Sequence, residues 1–107
     1  VATAEQINFG LSPAIIASLR AIFAKYRAIE KVLIFGSRAK GTAKPSSDID
    51  LAVFAPAMSA QQFTELWSEL DNLPLVFKLD VLHWDTLDNG DLKAKIKSEG
   101  KKIYPAG

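Results

Sequence analysis

Cysteine is absent from the 107 residues, which removes disulfides, thiolate zinc sites and cysteine nucleophiles together. The lack fits a reducing compartment, and a cytoplasmic location is the expectation. Histidine occurs once, as His83, so paired-histidine metal sites and most serine–histidine machinery are out of reach. Neither sign of charge is in excess. The 13 Lys and Arg against 12 Asp and Glu leave a net +1, with no global pull toward nucleic acid or an anionic membrane. No apolar run approaches the roughly 20 residues of a membrane-spanning helix, and no signal-peptide pattern opens the chain. The first residue is Val rather than Met, so a processed or trimmed start is expected. Glycine and proline number 6 and 5, while 49% of residues are hydrophobic; this is the composition of a folded chain, not a disordered one. The length suits one domain over 1–107, with 1–10 as a loose lead-in, and leaves no room for a second, substrate-binding domain.

What is present alternates between helical and extended patterns. Ser12 is a good N-cap and Pro13 a good first helical residue. Ile15, Ile16, Leu19, Ile22, Phe23 and Tyr26 then recur at helical spacing, predicting a helix from Leu11 to about Arg27. The run from Lys31 to Phe35 reads as a buried strand ended by Gly36. A polar loop follows, with Pro45 forbidding a helix through that point. Ile49 to Ala55 is a second strand, with Ile49, Leu51 and Val53 on one face and Asp48, Asp50 and Ala52 on the other. Ser59 and Gln62 form a capping-box pattern before a helix from Ala60 to about Asn72, which Pro74 stops. Leu75 to His83 is a third strand, in which Lys78, Asp80 and Leu82 share a face opposite Phe77, Leu79 and Val81. Trp84 to Gly90 reads as a polar turn, and Asp91 to Glu99 as a short lysine-rich helix capped by Gly100. Ile103-Tyr104 adds a small edge strand.

The chemistry concentrates between Phe35 and Phe54, FGSRAKGTAKPSSDIDLAVF. Asp48 and Asp50, at i and i+2 on a strand, point the same way about 7 Å apart along the chain, an arrangement suited to hard divalent cations. Magnesium takes one or two carboxylates plus substrate phosphates. Asp80, on a neighbouring strand, would complete a two-metal site or act as general base. A carboxylate in the middle of an apolar strand is costly without a partner, and Lys78, splayed two residues away, is poorly placed to supply one. Gly36 lets a backbone approach an anion closely, Ser37 adds a hydroxyl beside its N–H, and Arg38, Lys40 and Lys44 would offset phosphate charge.

Competing readings are weaker. A P-loop needs lysine after its second glycine; Thr42 follows Gly41, and the next element is a strand. His83 reads as a strand-end residue without a catalytic part. Asp85, Asp88 and Asp91 read as turn and cap residues. Lys93, Lys95, Lys97, Lys101 and Lys102 read as a solvated face, with a nucleic-acid patch as the sharper but disfavoured alternative.

The joint pattern of Gly36-Ser37-Arg38-Ala39-Lys40-Gly41, Ser47-Asp48-Ile49-Asp50-Leu51 and Asp80 resembles the DNA polymerase beta-like nucleotidyltransferase superfamily, and within it the minimal nucleotidyltransferase (MNT) proteins. The ending, Ile96 to Gly100 followed by Ile103-Tyr104, resembles theirs as well. The resemblance implies a small α/β (α+β) nucleotidyltransferase fold, a mixed sheet with helices packed on one side. It implies magnesium-dependent transfer of a nucleoside monophosphate, AMP from ATP by expectation, to a hydroxyl. Asp48, Asp50 and Asp80 would be the catalytic and metal-binding carboxylates. Gly36, Ser37, Arg38, Lys40 and Ser47 would bind the nucleotide. It further implies a helical HEPN-type protein partner, often as toxin to the MNT antitoxin, and leaves homo-oligomerisation open. The rival to an enzyme is a catalytically idle antitoxin that neutralises such a partner by contact.

Overall fold

The computed structural model describes residues 9–41, 48–75 and 78–105. Helix α1 spans Pro13–Phe23, with the Ser12 hydroxyl accepting from the Ile15 N–H at 3.2 Å and proline in the first turn. It stops a turn before the expected end. The amides of Lys25 and Tyr26 bond three residues back, to the carbonyls of Ile22 and Phe23, which tightens the chain out of the α-helix. Strand β1 (Lys31–Phe35) falls where its apolar run predicts. A one-turn helix, α2 (Ser37–Lys40), replaces the start of the expected loop, entered through Gly36 and closed by a left-handed Gly41. Strand β2 covers Ile49–Phe54.

Helix α3 (Ala60–Asp71) starts with the anticipated capping box, Ser59 and Gln62 each bonding the other's backbone N–H. Strand β3 is Leu79–His83, shorter than expected. Leu75 lies in a turn, its N–H bonded to the Leu73 carbonyl, and the expected strand positions Val76 and Phe77 lie outside the described residues. A single 3₁₀ turn, Trp84–Thr86, leads to helix α4 (Gly90–Glu99). Asn89, expected as a turn residue, caps that helix by accepting from the Leu92 N–H at 3.0 Å. Strand β4 (Lys101–Tyr104) is twice the length of the expected edge strand.

The four strands form one mixed sheet in the order β3-β2-β1-β4. β1 runs antiparallel to β2 and β4, and β2 runs parallel to β3, with α3 as the crossover that parallel neighbours require. The residue period of two gives the sheet two unlike faces. Val32, Ile34, Ile49, Leu51, Val53 and Val81 face α1 and α3, packing with Leu19, Phe23, Leu66 and Leu70 into the main core. Glu69 of α3 further ties that helix to the turn after α1, accepting from Lys25 and from the Tyr26 hydroxyl.

The other face carries a smaller cluster, Phe35, Ala52 and Ile96 with Leu33, Phe54, Leu82, Trp84 and Leu92 around it. Here α4 packs against the sheet, held by the fully buried Ile96, so helices cover both faces and not the one side expected, because Phe35, Ala52 and Leu82 make this face apolar enough to need a cover. Its junction with β4 is tight. A Cβ on Gly100 would sit 2.4 Å from the Ile96 carbonyl oxygen and 3.0 Å from Leu33 Cδ1. Glycine is therefore needed here for space, not for a left-handed turn, since Gly100 is extended. The carboxylates lie on the α4 side of the sheet.

His83 ends β3 on the main-core side, stacked on Phe63 with ring centroids 5.0 Å apart. Its Nε2 lies 2.9 Å from the Ala55 carbonyl oxygen, while Asp85 accepts from the Ala55 N–H at 2.7 Å. The lone histidine is thus a fastener for the end of β2, and Asp85 is its companion rather than a plain turn residue.

Candidate active site

Asp50 is the second residue of β2, and its neighbours follow from the pairing. On one side it is in register with Phe35 of β1, and on the other with Asp80 of β3. Directly opposed residues on adjacent strands share a face about 5 Å apart. The alternation in both strands therefore brings Asp50 and Asp80 together across a parallel pair. Asp48 precedes β2 by one residue and is exposed, as is Asp80, whereas Asp50 is half-buried.

Gly36 follows Phe35 and meets the same carboxylate. A Cβ at that position would lie 2.5 Å from Asp50 Oδ2, closer than real Cβ atoms come to an oxygen. Its backbone, at φ 77° and ψ −154°, is also a conformation reserved for glycine. The glycine is required twice over: for the turn from strand into α2, and for the approach of the backbone to Asp50.

The electrostatics are those of an uncompensated acidic site. Burial raises the Asp50 pKa above its ordinary value, and the charges of Asp80 and Asp48 raise it further, while Lys95 of α4 acts in the opposite direction. Arg38 sits below the turn. It is 2% exposed, donating from Nη1 to the Phe9 carbonyl at 3.1 Å, and burial lowers its pKa while the charge of Asp48 opposes that shift. The residue expected to meet phosphate from the loop is thus built into the wall, where it ties the segment before α1 to α2. Ser37 is the first residue of α2. Lys40, the last, is half-exposed and lies 3.2 Å from Glu99 Oε2. Lys44 and Ser47 lie outside the described residues.

Three of the expected positions therefore converge, Gly36, Asp50 and Asp80, with Asp48 close enough to act on Asp50 electrostatically. Two contributors from α4 were not expected. Lys95 and Glu99 were read with a solvated, lysine-rich helix. The available signal was their spacing, one turn apart and flanking the apolar Ile96, on a helix that leads directly into a strand.

The donor set suits a hard divalent cation. A half-buried carboxylate crowded by two others is relieved by a positive ion, and its oxygens match magnesium. No three His, Asp or Glu side chains among the described residues converge closely enough to chelate one ion by themselves. Magnesium does not ask for that, since nucleotide phosphates and waters fill much of its shell.

Comparison with known proteins places this geometry in context. No curated protein matches the sequence. Among solved structures, a toxin–antitoxin complex with AMP-PNP contains a similar chain, with TM-score 0.67 and 24% identity over 90% of this chain and 75% of that one. The toxin–antitoxin MntA-HepT gives TM-score 0.65 and 18% identity over 89% and 74%. These likenesses are of fold. The sequence itself matches the family described as polymerase beta, nucleotidyltransferase, over residues 17–106. With 90 of its 107 residues inside that match, the chain belongs to the polymerase beta nucleotidyltransferase family.

Proposed function

We propose that this nucleotidyltransferase moves AMP from ATP to a hydroxyl on a protein partner, with magnesium, and that it serves as the MNT antitoxin of a HEPN-type toxin. The observation that carries the reading is the pairing of Asp50 with Asp80 beside Gly36. Like charges in register on adjacent strands work against stability, so their presence together beside Gly36 favours a catalytic role. The structural relatives support the rest: one is a toxin–antitoxin complex with an ATP analogue, the other the MntA-HepT pair.

In this reading the Gly36–Ser37 backbone lies along the triphosphate, with Gly36 allowing the turn and the close approach to Asp50 that bring backbone and carboxylate together. Asp48 and Asp50 would hold magnesium, which would supply charge neutralisation at the phosphates and a more acidic attacking hydroxyl. Asp80, exposed at the edge strand, takes the proton of the acceptor hydroxyl. The acceptor oxygen then bonds to the α-phosphorus as the bond to the leaving pyrophosphate breaks. Arg38 and Lys40 supply positive charge from below and beside the turn.

The test is transfer of label from α-labelled ATP to the co-purified partner. Asp50→Asn and Asp80→Asn each abolish it, because an amide neither ligates magnesium well nor accepts the proton. Full transfer by both variants would refute the catalytic reading. If the variants lose transfer yet still protect cells from the toxin, neutralisation is by contact, and the antitoxin role does not run through catalysis.

A further inference from the structure

Glu99, in the last turn of α4, reaches the turn that follows β1. Its Oε2 lies 3.2 Å from Lys40 Nζ, across the gap between α4 and α2. Its second oxygen, Oε1, is buried and has no hydrogen-bond partner among the described residues. The surrounding framework leaves little slack. Ile96, one turn earlier, is fully buried against Phe35 and Ala52, and Gly100, the next residue, has no space for a Cβ against Leu33. Glu99 thus stands between a buried residue and a closely packed glycine, and its carboxylate reaches the end of α2.

A plain stabilising bridge accounts poorly for this arrangement. The Lys40 side chain is 48% exposed and that of Glu99 23%, and a partly exposed ion pair contributes little to stability. An oxygen buried without a partner costs more than such a pair returns. The position of the pair offers a better reason. Lys40 closes the same short helix that Ser37 opens, directly after the glycine that touches Asp50. An ammonium has three donors, and one bond to Glu99 leaves others for an anion.

We propose that Glu99 is a positioning residue for nucleotide binding: it holds the Lys40 ammonium at the rim of the Gly36–Gly41 turn, where the remaining Lys40 donors meet triphosphate oxygens. The inference rests on the nucleotide-binding reading above. The action of Lys95 on Asp50 is a separate sign that α4 flanks the same site.

The test is equilibrium binding of a fluorescent ATP analogue with magnesium to the full chain, compared among wild type, Glu99→Gln, Lys40→Ala and the double variant. Glu99→Gln weakens binding about two- to five-fold, the range of a partly exposed ion pair. Lys40→Ala weakens it more, by about ten-fold, as loss of a charge-assisted phosphate contact does. The double variant binds as Lys40→Ala alone, because Glu99 acts through Lys40. Should the glutamine variant fail to fold, Glu99→Asp, which withdraws the charge by one methylene, gives the same readout. Two results overturn the inference while leaving the site intact: unchanged or tighter binding by the Glu99 variant, as expected if Glu99 merely repels phosphate, or losses that multiply in the double variant. Absence of nucleotide binding by the wild type overturns the site reading itself, and this inference with it.

Discussion

Replacing Gly36 with alanine probes the closest approach in the site. Two costs add. The backbone at φ 77° and ψ −154° lies in a region that residues with a side chain avoid, worth about 1–3 kcal/mol. The new methyl would also sit 2.5 Å from Asp50 Oδ2, so the carboxylate must turn away. Its register neighbours are Phe35 on one side and Asp80 on the other, which leaves one bulky and one like-charged direction in which to move. The sum is roughly 2–4 kcal/mol, and for a domain near this length it lowers the melting temperature by about 10–20 °C. Gly41→Ala is the matched control. Gly41 is also left-handed, at φ 78°, but a Cβ there meets nothing within 4 Å, so the variant pays only the backbone cost of about 1–2 kcal/mol and keeps nucleotide binding. Asp50→Ala in the Gly36→Ala background removes the clashing oxygen and recovers the steric part of the loss. Thermal melts of the four proteins, with nucleotide binding for each glycine variant, give the answer. If Gly36→Ala melts with Gly41→Ala and binds nucleotide normally, the contact between turn and carboxylate is not as described.

Three further outcomes follow from the same structure. Asp50 has its pKa raised above 3.8 by burial, then by Asp80 and Asp48, so the folded chain binds more protons than the unfolded chain just above that value, and stability falls as pH rises through the window; Asp50→Asn therefore melts above wild type near neutral pH, and an advantage that persists well below the ordinary carboxylate pKa would contradict this. Asp85→Ala strips the acceptor from the N–H of the fully buried Ala55, costing about 1–3 kcal/mol with nucleotide binding intact, and an unchanged denaturation midpoint would show that the contact carries no weight. Tyr26, raised to about 12 by burial and by its bond to Glu69, loses stability as pH climbs from its ordinary 10 toward that value, and ultraviolet titration shows a late phenolate step that Tyr26→Phe removes.

The alternation of side chains carried most of what was legible. Period two in Asp48–Leu51 and in Lys78–Leu82 is enough to place Asp50 and Asp80 opposite the apolar positions, and β2–β3 pairing then makes them neighbours. Local capping chemistry was equally readable: Ser12 and the Ser59–Gln62 box act as their residue types dictate. What escaped was non-local. Nothing near Arg38 in the chain reveals that its guanidinium is buried against the Phe9 carbonyl, because that contact crosses from one end of the domain to the turn. Lys95 is exposed, as a solvated face predicts, but helical spacing cannot show that its charge acts on Asp50. The one-turn helix α2 was invisible for a different reason: four residues are too few to establish a period.

The parallel pairing of β2 with β3 also bears on how the site comes into being. β1 and β2 are consecutive antiparallel strands, whereas β3 can join only after α3 has carried the chain back over the sheet. Contacts of such sequence separation form slowly, since closure of the intervening chain precedes any return from the contact. Asp50 and Asp80, about thirty residues apart in sequence, meet only at that step, and they meet as like charges. No excised peptide containing the glycine turn and the Asp48–Asp50 strand can therefore carry the complete carboxylate pair. The carboxylate pair is complete only once β3 has paired with β2, so ligand binding that needs both carboxylates reports on that pairing.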